Sequence, residues 1–315
     1  MDTPLIDTGD GSEVSTKEFV FIDNEGEDVI TVMTPEGDVI KKIPVGHAPH
    51  DIAASPDGEF VASANLESGT VSVIETSSLT VVQTISTGAG AHGVVFSPDG
   101  AKLYAVNARA DTLSVIDTSS WQEMQRIPVD QGPEYVGVTP DGKQVFTTNL
   151  GAQGSVTLLA YKDNKLSVQK TMKFGSDPHG WAISPDGNKI ALTNLGSNTA
   201  YILNSQTFEE ISHIDSGATT EFAAFKDNNE LWVTDIGAHY VSIVDINRNK
   251  VIDQIAVGET PHGIAFSKDK TLAFVPLYSS GEVVIIDVAR RIIVNKIKTG
   301  GTLLHNAVTV SVKTS

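Results

Sequence analysis

The sequence predicts an all-β protein: a seven-bladed β-propeller of four-stranded antiparallel blades, closed by pairing a C-terminal inner strand with N-terminal outer strands. Three observations predict it. A segment of the type Thr260-Pro261-His262-Gly263-Ile264-Ala265-Phe266-Ser267 recurs in register, with copies opening at Pro49, Ala91, Pro133, Pro178, Thr220, Pro261 and Leu304. A tight-turn motif, Ser-Pro-Asp-Gly or its Thr variant, follows at Ser55, Ser97, Thr139 and Ser184. Between these marks lie apolar runs of four to six residues rich in β-branched side chains, the pattern of short strands.

The unit from Ala91 reads as strand HGVVF, turn SPDG, strand KLYAVN, loop ARADT, strand LSVID, turn TSSW, strand EMQRIPV and connection DQGP. That is four strands in about 42 residues, the size of one propeller blade. The turns agree, since Pro presets φ at the second turn position while Asp and Gly suit the positions after it. Lys226-Asp227-Asn228-Asn229 and Ser267-Lys268-Asp269-Lys270 are degraded forms of it, and six inner strands follow in sequence order. The seventh is Asn306-Ala307-Val308-Thr309-Val310, which has no partners after it, whereas Glu18 to Val45 supplies three outer strands with no inner strand before them. Joining the two removes exposed sheet edges. The domain reading is therefore a loose arm over 1–16 and one propeller over 17–315.

Of the 315 residues, 39 are acidic and 22 basic, for a net charge of -17. That balance repels phosphate backbones and anionic lipid, so neither nucleic-acid binding nor membrane insertion is expected. No apolar run reaches the length of a spanning helix, and the first residues, MDTPLIDTGDGSEVST, have neither a basic start nor an apolar stretch. A periplasmic or extracellular mature chain is expected, with a cytoplasmic one as the alternative. Without cysteine, any metal must be held by His, carboxylate or carbonyl groups.

The second strands read Leu103-Tyr104-Ala105-Val106-Asn107, Val145-Phe146-Thr147-Thr148-Asn149, Ile190-Ala191-Leu192-Thr193-Asn194 and Leu231-Trp232-Val233-Thr234-Asp235. Preceded by SPDG and followed by SVID-like strands, they resemble the YVTN family of seven-bladed β-propellers over nearly everything after residue 16. The resemblance implies the fold and says little about chemistry, since the family is similar to surface-layer and periplasmic proteins and, more distantly, to lactonases and to propeller domains of nitrogen-oxide reductases. Asn65, Asn107, Asn149 and Asn194 conform at the end of the second strand, while Asp23, Asp235 and Val275-Pro276-Leu277 depart. The conforming residues are read as satisfying loop backbone.

The second residue of the seven copies is His50, His92, Glu134, His179, Glu221, His262 and His305. On a propeller these sit beside the central channel at one depth, neighbours roughly 5 Å apart. Going round, His262, His305, His50 and His92 form a continuous arc, followed by Glu134, His179 and Glu221. Crowded imidazoles disfavour one another's protonation and offer lone pairs to a cation. His50, His92, His262, His305 and His179 are the candidate metal ligands, and with no thiolate the expected ion is copper or zinc, with iron or nickel as alternatives. Duplication of one ancestral His is the competing explanation. Glu134, Glu221, His179 and Tyr135 are the candidate catalytic residues: a Glu as ligand, general base or substrate clamp, with Tyr135 and Phe222 as a wall, or else two Glu that only neutralise His179. His47, His213 and His239 read as solvated, and Trp181 and Trp232 as core.

Two functions stand open. One is a metal-binding propeller, a metalloenzyme acting on a small-molecule substrate at the channel mouth, by copper or iron redox chemistry or by zinc-type lyase or hydrolase chemistry. The other is a non-enzymatic surface or periplasmic propeller that presents its faces to a protein or glycan partner. A monomer is expected in either case.

Overall fold

A computed structural model describes residues 15–151 and 154–314. The expected arm therefore lies outside the described residues, apart from Ser15 and Thr16, which belong to the strand Ser15–Asn24. Seven four-stranded antiparallel sheets are present among the described residues. Six consist of four consecutive strands; the seventh joins Leu304–Thr314 to Ser15–Asn24, Val29–Met33 and Val39–Pro44. In that closing blade Phe19 faces Val310 and Phe21 faces Val308, so the two ends of the chain share a ladder.

The turns form as their chemistry dictates. Ser55 Oγ donates to Asp57 Oδ1 at 2.6 Å and accepts from the Phe60 amide at 2.9 Å, while Gly58 takes φ +74°, a region that disfavours side chains. The same Ser–Asp link recurs at Ser97, Ser184 and the degraded Ser267 turn. Blades pack face to face through apolar clusters, such as Trp232, Val241, Ile243, Phe266, Val275 and Val284 between two neighbouring blades. Outermost strands such as Thr80–Ser86 alternate exposed and covered residues, as an edge wetted on one face must. Among the described residues no helix is long and apolar enough to cross a membrane. The sole helical turn among them is a 3-10 segment, Glu25–Glu27.

One irregularity repeats around the molecule. In the His50 blade Pro49 pairs with Asn65 but Asp51 pairs with Ala64, so one extra residue, His50, stands opposite no partner. Glu134 is extra in the same way, between Pro133↔Asn149 and Tyr135↔Thr148. Register shifts of one residue bracket His92, His179, Glu221 and His305 as well. In the remaining blade the inner strand is reduced to Ala265–Phe266, and Pro261 keeps an isolated bridge to Leu277. A bulge bends its strand and re-aims the extra side chain, and here each bulge turns its His or Glu toward the axis.

Asn65 and Asn107 are buried and structural, but each donates to the hydroxyls of a Thr and a Ser of the next strand and not to the loop backbone expected from the sequence. The first blade corrects the sequence reading. The residue equivalent to Asn65 is Asn24, which pairs with Leu304, and not Asp23. The next amide confirms the register: Leu66, Ala108, Leu150, Leu195, Ile236 and Tyr278 each donate to a connection carbonyl, and Glu25 does the same to Leu303.

Candidate functional site: a two-sided ring above the channel

The seven re-aimed residues converge. Ring centroids lie 3.9 Å apart for His50 and His92, 3.9 Å for His50 and His305, and 4.6 Å for His262 and His305. The expected contiguous arc of four imidazoles is therefore formed. On the other side His179 Nδ1 lies 2.7 Å from Glu134 Oε2 and His179 Nε2 lies 2.9 Å from Glu221 Oε1. Each ring nitrogen of His179 thus faces one carboxylate at close range. Glu221 also lies 3.1 Å from His262 Nε2, and Glu134 lies 3.9 Å from His92 Nε2.

The two arcs differ in charge. Burial, reinforced by neighbouring imidazoles, lowers His50 well below the ordinary histidine value and takes His262 and His305 down to about 3. His92 is lowered by burial too, though Glu134 opposes it. His179 is the exception to the expected neutrality: burial pulls it down, but Glu221 and Glu134 outweigh burial and raise it to about 10. Burial pushes Glu221 up, yet His179 and His262 bring it down to about 2, and His179 likewise leaves Glu134 lowered. His179 is thus an imidazolium facing carboxylates with both nitrogens, and in that state it has no lone pair for a metal.

On the neutral side, one carboxylate joins that the repeat did not point to. Glu25 Oε2 accepts from His305 Nε2 at 2.7 Å, and Glu25, His50 and His305 offer ligand atoms that all lie within 4.8 Å of one another. His50 Nδ1 is buried without a partner, as is His262 Nδ1. His92, by contrast, donates Nδ1–H to the Glu134 carbonyl at 2.9 Å, which fixes its tautomer. Tyr278 covers the same side, its ring 5.0 Å from His305 and 5.9 Å from His262. Glu25 and Tyr278 occupy one repeat position, directly after the end of the second strand, where the other blades carry Leu66, Ala108, Leu150, Leu195 and Ile236. Two polar residues among five apolar ones were the sequence signal for both.

Asp23 holds this corner in place. Its Oδ1 accepts from the amides of His305 at 2.9 Å and Asn306 at 2.7 Å, the two N–H groups that the bulge frees. Asn306 Nδ2 in turn donates to Asp51 Oδ1 at 2.9 Å, and Asp51 Oδ2 accepts from the Val94 amide at 2.9 Å. Burial raises Asp23 well above the carboxylate range and Asp51 to about 7.

Directly beneath the ring, the residues that follow its members alternate large and small: Asp51, Gly93, Tyr135, Gly180, Phe222, Gly263 and Asn306. The glycines are required by close approach. A Cβ on Gly93 would lie 2.4 Å from the Glu134 carbonyl oxygen, and one on Gly263 would lie 2.4 Å from Asn306 Oδ1. Tyr135 and Phe222 meet edge to face at 5.0 Å, with Tyr135 also 4.9 Å from His179. The pair expected as a wall at the mouth is thus a floor under the charged arc. Trp232 is core; Trp181 packs on Phe146 at 5.5 Å and also lines the channel. His47, His213 and His239 are exposed, with Asp28, Glu210 and the Thr260 amide as their partners.

Comparison with known proteins adds to the fold. A family model described as YNCE-like beta-propeller matches residues 100–196. No curated protein sequence matches the chain. Among solved structures, the chain is similar to one titled Kuenenia stuttgartiensis hydrazine synthase, at 21% identity and a TM-score of 0.78, covering 85% of this chain and 92% of that one. It is also similar to a functionally unknown protein from Desulfotomaculum acetoxidans DSM 771, at 16% identity and a TM-score of 0.79, covering 91% and 99%. At such identities these likenesses speak for the fold alone. The family match and the closed ring of seven blades together fit a YVTN-type seven-bladed β-propeller.

Proposed function

We propose that the protein is a metal-binding propeller in which Glu25, His50 and His305 hold one transition-metal ion and a small molecule meets that ion at the channel mouth. The observation that carries this reading is the convergence of one carboxylate and two imidazoles to within 4.8 Å. The donors suit the role: His50 Nδ1 is buried with no partner, and burial keeps both imidazoles neutral. Two imidazoles with one carboxylate are the donor set of catalytic zinc and of non-haem iron(II) sites, so these ions come ahead of the copper that an all-imidazole arc suggests. An ion of either kind held there would supply Lewis acidity, to polarise a carbonyl or activate water.

The chain's own residues would do the rest. Asp23 fixes the backbone on which His305 is carried, and Glu25 is oriented by its contact with His305 Nε2. Glu134 is the more exposed carboxylate of the charged arc, at 14% of its side chain against 5% for Glu221, and so is the one placed to take a proton or clamp a cationic group. His179 holds both carboxylates ionised.

Elemental analysis of untagged protein tests this. About one zinc or iron per chain is expected, lost in His50→Ala and in Glu25→Ala and kept in His92→Ala. Protein that is metal-free as purified, and that takes up neither zinc nor iron(II) on dialysis, leaves the non-enzymatic propeller as the better reading.

A further inference from the structure

A cavity of about 420 Å³ occupies the channel on the far side of the Tyr135 and Phe222 floor from the ring. That volume lies within the range of about 300–1,000 Å³ usual for small-molecule sites. Its walls are apolar and aromatic, with Trp181, Phe222 and Phe266 among inner-strand Ala, Val and Ile residues. Its polar residues include Asp51, Asn306 and Thr309, and Tyr135 closes it at the ring end. Two features make this end suited to a ligand's polar group. Tyr135 is 2% exposed and its hydroxyl has no hydrogen-bond partner, although a buried hydroxyl ordinarily finds one. Asp51 receives hydrogen bonds from Val94, Ile52 and Asn306, which leaves about one of its roughly four acceptor sites unfilled.

The charge of the surroundings sets the ligand class. Among the described residues no Lys or Arg lines the cavity, whereas Asp51 lies in its wall and Glu134 and Glu221 belong to the ring just above. An anion entering here would meet Asp51, and the nearest cation, His179 on the other side of the floor, is already paired with Glu134 and Glu221. An ammonium group would meet a carboxyl acceptor, a hydroxyl acceptor and the faces of aromatic rings, which attract cations by their quadrupole. We propose that the channel cavity binds a small organic amine, its ammonium group at the Asp51 and Tyr135 end and its apolar body along Trp181, Phe222 and Phe266.

The proposal does not rest on the metal reading, because none of Glu25, His50 and His305 lines the cavity. Calorimetric titration of the full chain with phenethylammonium, 2-phenylethanol and 3-phenylpropionate tests it. Phenethylammonium should bind at least about tenfold more tightly than either of the others. Tyr135→Phe should weaken it about threefold to tenfold without lowering the unfolding midpoint, because the hydroxyl it removes has no protein partner. Ala265→Phe, which fills the channel, should abolish binding. Chelator treatment should leave it unchanged. Equal binding of the alcohol or the acid, or parent-like binding in both channel variants, would overturn the proposal. So would loss of binding on chelation, which would assign the amine to the ring.

Discussion

The neutral and charged arcs are built from the same repeat position and end in opposite states. His262, His305, His50 and His92 stand as neighbours with imidazole next to imidazole, and burial with mutual repulsion keeps them neutral. His179 stands between two carboxylates and is charged, although it is buried as deeply. The difference teaches that a histidine's role in a ring is set by the residues on the two adjacent blades. One substitution per blade, His to Glu, converts a lone-pair donor next door into a structural cation. The two arcs should therefore fail differently.

The largest effect is expected on the charged arc. His179→Leu leaves Glu134 and Glu221 buried without their counter-ion and should lower the unfolding free energy by about 3–5 kcal/mol in chemical denaturation; a loss below about 1 kcal/mol would mean that the pairing contributes little. The pH dependence of that loss comes next. His179 is raised from 6.5 to about 10, so its stabilisation is complete below 6.5 and fades as pH climbs toward 10. Glu221 is lowered from 4.5 to about 2, so its share is present above 4.5 and fades as pH falls toward 2. The gap between wild type and His179→Leu should hence be widest between pH 4.5 and 6.5 and narrow on both sides; a gap that widens toward pH 10 contradicts the charge assigned to His179. The smallest effect belongs to the neutral arc. His50 Nδ1 has no partner to lose, so His50→Phe should change the unfolding free energy of metal-free protein by less than about 1 kcal/mol.

Much of this was legible in the sequence, for reasons particular residues make plain. The Ser-Pro-Asp-Gly turn is local chemistry, and Ser55, Asp57 and Gly58 close it with bonds inside six residues. Closure followed from counting strands, since Asn306 to Val310 had no partner except the N-terminal strands. The seven ring positions followed from register. Glu25 was harder to see because an acidic turn, Glu25-Gly26-Glu27-Asp28, reads as a solvated surface loop, and only its alignment with Leu66 or Ala108 marks it as unusual. Asp23 was misassigned because Asp23 and Asn24 stand side by side at the end of their strand, and only the pairing of Asn24 with Val29 and Leu304, as Asn65 pairs with Thr70 and Pro49, decides which of them is equivalent to Asn65.

What the sequence determined by itself is whatever depends on neighbours along the chain or on simple repetition: the strands, the turns, the number of blades and the list of residues on the axis. The tertiary structure decided which of those residues touch, and hence their charge. His50 and His179 are both histidines preceded by proline in equivalent segments. Proton affinity in a buried site is governed by desolvation and by charges a few ångströms away across blade boundaries, and that is why the same repeated histidine is a neutral donor beside Glu25 and His305 and a cation between Glu134 and Glu221.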